Sequence, residues 1–208
     1  MATATYEAGA GAVTVAIDGD HDAWLAAGRY GAVDGATRWL SLEESVYLAA
    51  LGRIAFASMA LPTAYASFAA RDAAFPARYA VYHHYRSQGW IVQSGLAYGT
   101  LFALYSASPD DVHSEYLVYL DPANKPLSWP SMQVLTRLSE DVKKTILLCQ
   151  LHDPSSAPTN ALLITTPVVT LALSEVMFRY WPALASAETT PTTYAMRPAT
   201  TIPKRKRR

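Results

Sequence analysis

The chain has 208 residues and a formal net charge of zero, with 17 basic and 17 acidic residues. Hydrophobic residues make up 51% of it and charged residues 16%, so it can bury a sizeable core in one large or two small domains. Zero net charge is unusual for a protein that binds nucleic acid alone, so local basic clusters or partner proteins would have to contact phosphate. The single cysteine excludes an intrachain disulfide, and the apolar runs are too short or too interrupted to span a membrane.

Residues 1–75 predict a small α/β domain. Residues 12–17 alternate valine and isoleucine with smaller residues, which is typical of a strand. Ser41, followed three residues later by Glu44, forms a capping box, in which the serine caps a helix and the glutamate reaches back to it. Apolar residues at near-helical spacing extend this predicted helix to about residue 58.

Residues 76–184 predict a second domain, in which helices flank a mixed sheet, so the fold class is α/β (α+β). The adjacent histidines at 83 and 84 would diverge on a helix and make poor joint metal ligands, so the surrounding tyrosines are interpreted as packing against a sheet. The predicted helices cover residues 77–88 and 131–142, and the predicted strands cover 90–93, 100–105, 115–120, 145–151 and one or two segments of 162–181.

Residues 185–208 predict a disordered tail, because they are rich in alanine, threonine and proline. The tail ends in a basic cluster at 203–208 that resembles a nuclear localisation signal. An electrostatic contact with RNA and a simple solvated terminus are the alternatives. We therefore expect a nuclear protein without a membrane span or a signal peptide.

Three residues of the second domain form a set that could cleave RNA without a metal: Tyr105, His113 and Lys144. A general base must take the proton of the RNA 2′-hydroxyl, a general acid must protonate the departing 5′-oxygen, and a cation must stabilise the phosphorane. Histidine suits the acid role because its ordinary pKa is about 6.5, and lysine supplies a compact charge. Tyrosine, with an ordinary pKa of about 10, becomes a base only beside a cation that favours the phenolate.

The contexts of these residues resemble the catalytic domain of the tRNA-splicing endonuclease family. Within that family, the stretch is most similar to the smaller catalytic subunit of the eukaryotic enzyme, which cuts the 3′ splice site. The resemblance rests on residues 82–90, the run 95–105, Pro109 with His113, Arg137, and Val142-Lys143-Lys144.

The resemblance implies a role for each member of the set. Tyr105 would be the general base, His113 the general acid and Lys144 the cation that stabilises the transition state. Lys143 is a rival for Lys144, because neighbouring residues of a strand point to opposite faces and one of the two can reach the site. Tyr98 is a rival for Tyr105, although the family commonly has a structural aromatic residue at that position.

The resemblance also implies an RNA contact outside the catalytic set. Arg137 corresponds to an arginine that binds RNA together with a later aromatic residue, since a guanidinium and an indole can hold a splayed base between them. Trp181 is the candidate for that aromatic residue, with Phe178 next.

As a whole, the resemblance predicts a catalytic subunit that cuts intron-containing pre-tRNA at the 3′ splice site. The cut would leave a 2′,3′-cyclic phosphate and a 5′-hydroxyl, the products of a metal-independent RNA-cleaving lyase without a cofactor. The subunit would work in a heterotetramer with a second catalytic subunit and structural subunits, and its partner contacts would use the C-terminal strand and exposed loops.

Two alternatives stay open at this point. The chain could be a non-catalytic structural subunit of the same complex that binds tRNA. It could also be a metal-dependent nuclease, because Asp110 followed by Asp141 and Lys143 fits a loose signature in which carboxylates hold Mg²⁺ and the lysine activates water.

Overall fold

The computed structural model describes residues 2–121 and 128–179, which form two β-sheets and five α-helices. The predicted tail with its basic cluster at 203–208, and the candidate RNA contact Trp181, lie outside the described residues. Within the described ranges, no helix is long and apolar enough to cross a membrane.

The first sheet has five strands in the order β3-β4-β2-β1-β5. The pair β1–β5 is parallel, and the other neighbours in this sheet are antiparallel. The predicted strand at 12–17 is confirmed as β2. The bounds are β1 Ala2–Glu7, β2 Ala12–Ala16, β3 Ala32–Asp34, β4 Thr37–Leu40 and β5 Ile54–Phe56.

The capping box at Ser41 is confirmed, but the predicted end of its helix is wrong. Ser41 Oγ accepts from the N–H of Glu44 at 3.1 Å, and Glu44 Oε2 accepts from the N–H of Ser41 at 2.9 Å. Such a cap stabilises a helix by about 1 kcal/mol. The helix ends at Ala50 rather than near residue 58, because Gly52 adopts φ +66° and turns the chain into β5.

Four helices belong to the first half of the chain, and two of them link the sheets. The helix α2 packs against α4, whose buried Tyr79, Tyr82 and Tyr85 confirm that its tyrosines serve packing. Tyr85 donates its hydroxyl proton to Glu175 Oε2 at 2.6 Å, which ties α4 to the far sheet. The bounds are α1 Gly19–Ala27, α2 Leu42–Ala50, α3 Leu61–Arg71 and α4 Phe75–Ser87.

The second sheet has six strands in the order β10-β11-β9-β8-β7-β6. The pair β8–β9 is parallel, the other neighbours are antiparallel, and the helix α5 connects β8 to β9. This mixed sheet with flanking helices confirms the predicted fold class. The bounds are β6 Ile91–Ser94, β7 Phe102–Tyr105, β8 Tyr116–Asp121, α5 Trp129–Val142, β9 Thr145–His152, β10 Leu162–Thr165 and β11 Thr170–Phe178.

The central strands of the second sheet carry apolar side chains on both faces, and both faces are buried. One face contributes Leu104, Val118 and Leu147 to the main core, which continues through α4 and α2 to the first sheet. The other face is covered by α5 and forms a smaller set, the α5-face cluster, made of Ala103, Leu117, Leu135, Ile146 and Leu148. Alternation along each strand therefore decides which side chains face α5.

Candidate catalytic site at the strand ends

The register of the second sheet brings the ends of three neighbouring strands together. Leu104 of β7 pairs with Tyr116 of β8, which in turn pairs with Thr145 of β9. Tyr105 is the residue after the first of these, and Lys144 is the residue before the third. Tyr105 and Lys144 are far apart in the sequence, yet they lie at the same end of the sheet, at the ends of strands separated only by β8.

Tyr105 and Lys144 lie on the same side of the sheet by strand alternation. Tyr105 is two residues after Ala103, so its side chain points to the same face of the sheet. It is half-buried against the α5-face cluster. Lys144 is two residues before Ile146 of that cluster, so alternation places it on the same face. Since neighbouring strands are about 4.8 Å apart, the two backbones are about 10 Å apart. A phosphate group and two long side chains fit this spacing.

The structure separates Lys144 from its rival Lys143. Lys143 is exposed and adopts φ 53°, ψ 40° as the left-handed residue that ends α5. Lys144 is partly buried, and its Nζ donates to the backbone carbonyl of Ser114 at 2.8 Å. The backbone N–H of Lys144 donates to the carbonyl of Ser139 at 3.1 Å, which fixes the lysine to the last turn of the helix. Lys144 is therefore the lysine that the fold directs to the segment containing His113.

His113 is an exposed residue in the loop before β8, but the backbone that follows it is held on both sides. The Ser114 carbonyl accepts the hydrogen bond from Lys144, and the N–H of Glu115 donates to the carbonyl of Leu104 at 2.9 Å. The ring of His113 can thus meet a ligand from solvent while its backbone is fixed between the ends of β7 and β9.

Tyr98, the rival for Tyr105, also lies near the lysine. It belongs to a 3₁₀ turn at Leu96–Tyr98, and the Nζ of Lys144 lies 5.8 Å from the centroid of its ring. This distance is that of a cation–π contact with the ring face. The structure brings both tyrosines to the α5-face cluster, with Tyr105 at the end of a strand and Tyr98 on the turn beside it.

The residues of the metal-dependent alternative lie on two different elements, the loop before β8 and the end of α5. The Asp110 carboxylate forms an ion pair with Arg29, and Asp141 is exposed in the last turn of α5. Within residues 2–121 and 128–179, no group of three or more His, Cys, Asp or Glu side chains is arranged to hold a metal ion.

Tyr105, His113 and Lys144 are called the strand-end site. Arg137 lies outside this site, on the outer surface of α5. It is exposed and borders a shallow groove of about 270 Å³, the α5 groove. Its aromatic neighbour there is Trp129, which is 68% exposed, whereas Phe178 is half-buried against the α5-face cluster. The groove is lined by Trp129, Met132, Gln133, Thr136 and Arg137.

Trp129 was not predicted as a binding residue from the sequence, although a local signal existed. The groove residues have the spacing i, i+3, i+4, i+7 and i+8, which places them along one helix face. An exposed indole and a guanidinium on one face offer a surface on which a flat aromatic ring can stack.

The stretch that carries the strand-end site matches a known family model. Residues 75–157 match the tRNA intron endonuclease catalytic C-terminal domain, and this range contains Tyr105, His113, Lys144 and Arg137.

Curated relatives align with this chain over more residues than the family model does. The tRNA-splicing endonuclease of Thermococcus kodakarensis is 33% identical over 114 residues, which cover 53% of this chain and 67% of that protein. The tRNA-splicing endonuclease of Methanopyrus kandleri is 31% identical over 129 residues, or 60% of this chain and 72% of that protein.

A eukaryotic relative is longer than this chain. The tRNA-splicing endonuclease subunit Sen2 of Mus musculus is 31% identical over 155 residues, which cover 68% of this chain and 34% of that protein. The chain therefore spans about a third of the length of this relative. The motifs resemble the smaller catalytic subunit, whereas the mouse and rat relatives are named Sen2, so the splice site that is cut stays a prediction.

Proposed function

The chain belongs to the tRNA-splicing endonuclease family, and we propose that it is a catalytic subunit that cleaves intron-containing pre-tRNA by a metal-independent reaction. The observation that carries this proposal is the register that sets Tyr105, His113 and Lys144 at neighbouring strand ends, with Lys144 bonded to the residue after His113.

The reaction uses each residue for one task. Tyr105, as phenolate, takes the proton of the 2′-hydroxyl, and the 2′-oxygen attacks the adjacent phosphorus. The bond from phosphorus to the 5′-oxygen breaks, and the imidazolium of His113 gives its proton to that oxygen. The products are a 2′,3′-cyclic phosphate and a 5′-hydroxyl, so atoms and charges balance without water in the cleavage step.

Lys144 stabilises the charge that develops on the non-bridging oxygens. An ammonium group has three N–H donors, and the bond to the Ser114 carbonyl uses one of them. Two donors remain for a phosphate while the third holds the lysine in place. A cation fixed before the reaction stabilises the transition state better than one that must reorganise.

The α5 groove supports substrate binding at a second point. Trp129 and Arg137 offer a stacking surface for an unpaired base of the pre-tRNA, and such a base occurs in loops and bulges rather than in the helical arms. This contact holds the substrate without taking part in proton transfer.

The proposal includes partner subunits. The edge strand β10 and its neighbour β11 carry exposed apolar side chains at Leu162, Leu163, Val176 and Met177. These suit a protein interface better than solvent. A heterotetramer with a second catalytic subunit and structural subunits follows from the family resemblance, and nuclear import would use the basic cluster at 203–208.

The test is cleavage of an intron-containing pre-tRNA in excess EDTA by the complex that co-purifies with this chain, beside its His113→Ala version. We expect the wild-type complex to cut both sites in EDTA, and the variant to lose one cut. The sequence resemblance predicts that the lost cut is at the 3′ splice site. Loss of the 5′ cut alone would keep the catalytic role and change the subunit assignment.

Two other outcomes contradict the proposal. Abolition of cleavage by EDTA would support the metal-dependent alternative with Asp110, Asp141 and Lys143. Unchanged cutting at both sites by the variant would make this chain a structural subunit.

A further inference from the structure

A short loop at 106–112 connects the proposed base Tyr105 to the proposed acid His113, and its second half forms a compact turn. The carbonyl of Ser108 accepts from the N–H groups of Asp111 at 2.9 Å and Val112 at 3.1 Å. The Oγ of Ser108 accepts from the N–H of Asp110 at 3.2 Å. Ser108 therefore organises the turn that leads directly into His113.

A single side chain from the first half of the chain bonds this turn at two points. The Nη2 of Arg29 donates to Ser108 Oγ at 2.6 Å and to the carboxylate of Asp110. These bonds join residues 79 and 81 positions apart in the sequence. Arg29 thus connects the turn after α1 to the loop of the strand-end site.

The backbone of Arg29 is itself fixed against the second sheet. Its carbonyl accepts from Gln93 Nε2 at 2.8 Å and from Arg86 Nη2 at 3.5 Å. Gln93 lies on β6 opposite Ala103 of β7, the strand that ends at Tyr105. Arg29 is therefore held by β6 and α4 through its backbone and holds the loop through its side chain.

The conformation of Arg29 is one that favours glycine. Its φ is +56°, and the N–H of the following Tyr30 donates to the carbonyl of Leu25 at 3.0 Å, as in a Schellman motif that ends α1. A residue with a Cβ is disfavoured in this left-handed region. The turn alone would therefore be better served by glycine, and the benefit of arginine must come from its side chain.

From this geometry we infer that Arg29 is a positioning residue of the endonuclease reaction, which orders the loop 106–112 and thereby sets His113 relative to Tyr105. The inference rests on the proposed function. Arg29 acts through Ser108 and Asp110 and does not contact the RNA. The side chains of Arg29 and Asp110 are 38% and 70% exposed, so their ion pair contributes little to global stability. The ion pair instead restricts the conformation of the loop.

The test compares Arg29→Gly with the wild type in the full complex. Glycine suits the positive φ, so the variant removes the guanidinium without straining the turn. We expect kcat to fall about 10-fold or more with KM unchanged, because a small displacement of a catalytic group costs rate rather than affinity. We also expect faster amide hydrogen exchange at Asp111 and Val112 with an unchanged Tm.

Arg53→Ala is the matched control. Arg53 is an exposed arginine of the same half of the chain, with its guanidinium 4.4 Å from the centroid of the Trp24 ring. Among the described residues, its side chain forms no hydrogen bond or ion pair with the loop 106–112. Its replacement leaves kcat and the exchange of the loop amides at wild-type values. The double exchange Arg29→Asp with Asp110→Arg rebuilds the ion pair in reverse and recovers part of the lost kcat.

The outcomes separate this inference from the proposed function. If the wild type needs His113 but Arg29→Gly keeps its kcat and its loop exchange, Arg29 has no positioning role. A loss of kcat that is matched by a loss of Tm would also overturn the inference, because the role would then be structural. If the His113→Ala complex cuts both sites at the wild-type rate, the proposed function fails. The exchange measurement still reports whether Arg29 orders the loop.

Discussion

The strand-end site and the α5 groove lie on neighbouring parts of the chain, yet they are built in opposite ways. The residues of the first are attached to backbone that the sheet holds on both sides, as the bonds from Lys144 to Ser114 and from Glu115 to Leu104 show. The residues of the second stand exposed on one helix face, with Trp129 at 68% exposure. Fixed groups suit chemistry, in which geometry determines the rate, whereas exposed groups suit binding.

The largest effect is expected at Lys144, and it would show that the fixed site controls the rate. Lys144→Ala removes the charge that stabilises the phosphorane, so we expect single-turnover cleavage to slow by about 10²- to 10³-fold. The control is Lys143→Gly, which relieves a left-handed lysine and is expected to cleave at nearly the wild-type rate. A larger loss in the Lys143 variant would favour the metal-dependent alternative.

The next effect concerns the two tyrosines of the site. Tyr105→Phe removes the proposed base, and we expect the cleavage rate to fall about 100-fold. Tyr98→Phe keeps the ring that faces Lys144, so the rate should change less than about 3-fold. Both variants are measured side by side in single-turnover assays. If Tyr98 were the base, Tyr98→Phe would show the large loss of rate and Tyr105→Phe the small one.

The α5 groove should affect binding and leave the chemistry intact. We expect Trp129→Ala to raise KM about 10-fold with kcat nearly unchanged, because stacking on an aromatic side chain contributes about 1–3 kcal/mol per base. Val134→Ala is the matched control, since Val134 is 63% exposed on the same helix but does not line the groove. A fall in kcat without a change in KM for Trp129→Ala would erase the distinction between the two regions.

The smallest effect separates the pH dependence of stability from that of catalysis. Burial lowers the pKa of His84 on α4 to about 4, below its ordinary value of 6.5. Between these values the unfolded chain binds a proton that the folded chain does not, so the free energy of unfolding falls as pH drops from about 6.5 to about 4. We expect a loss on the order of 1–2 kcal/mol after allowing for partial exposure.

The comparison variant for this prediction is His84→Gln, which should flatten the dependence of Tm on pH over that interval. The catalytic rate of the same variant should keep the wild-type pH profile, since His84 lies outside the strand-end site. A wild-type Tm that does not fall more steeply than that of the variant would show that His84 titrates normally.

The sequence predicted the elements with regular patterns and missed those whose order depends on distant contacts. The strands β6 to β9 and the helices α4 and α5 follow from alternation and helical spacing. The strand β1 was not predicted, because its residues before Tyr6 are alanine and threonine, and the segment becomes a strand by pairing with β2 and β5. The early end of α2 depends on the same pairing, since β5 lies beside β1.

The candidate site divides in the same way. Tyr105, His113 and Lys144 could be selected from the sequence because each has a recognisable local context, although their roles remain predictions. Arg29 could not be selected, since its contacts with the loop lie about 80 positions away along the chain. No local pattern distinguishes such an arginine from an ordinary surface residue.

The helix α5 also sets the distance between the α5 groove and the strand-end site. It carries the α5 groove along its length and ends at Val142, and the N–H of Lys144 donates to the carbonyl of Ser139 in its last turn. With a rise of about 1.5 Å per residue, Arg137 lies about 7.5 Å along the helix axis from Val142, the last residue of the helix. A base held in the groove would then have a fixed separation from the bond that is cut. An inserted helical turn would shift the cut along the RNA while leaving every catalytic side chain in place.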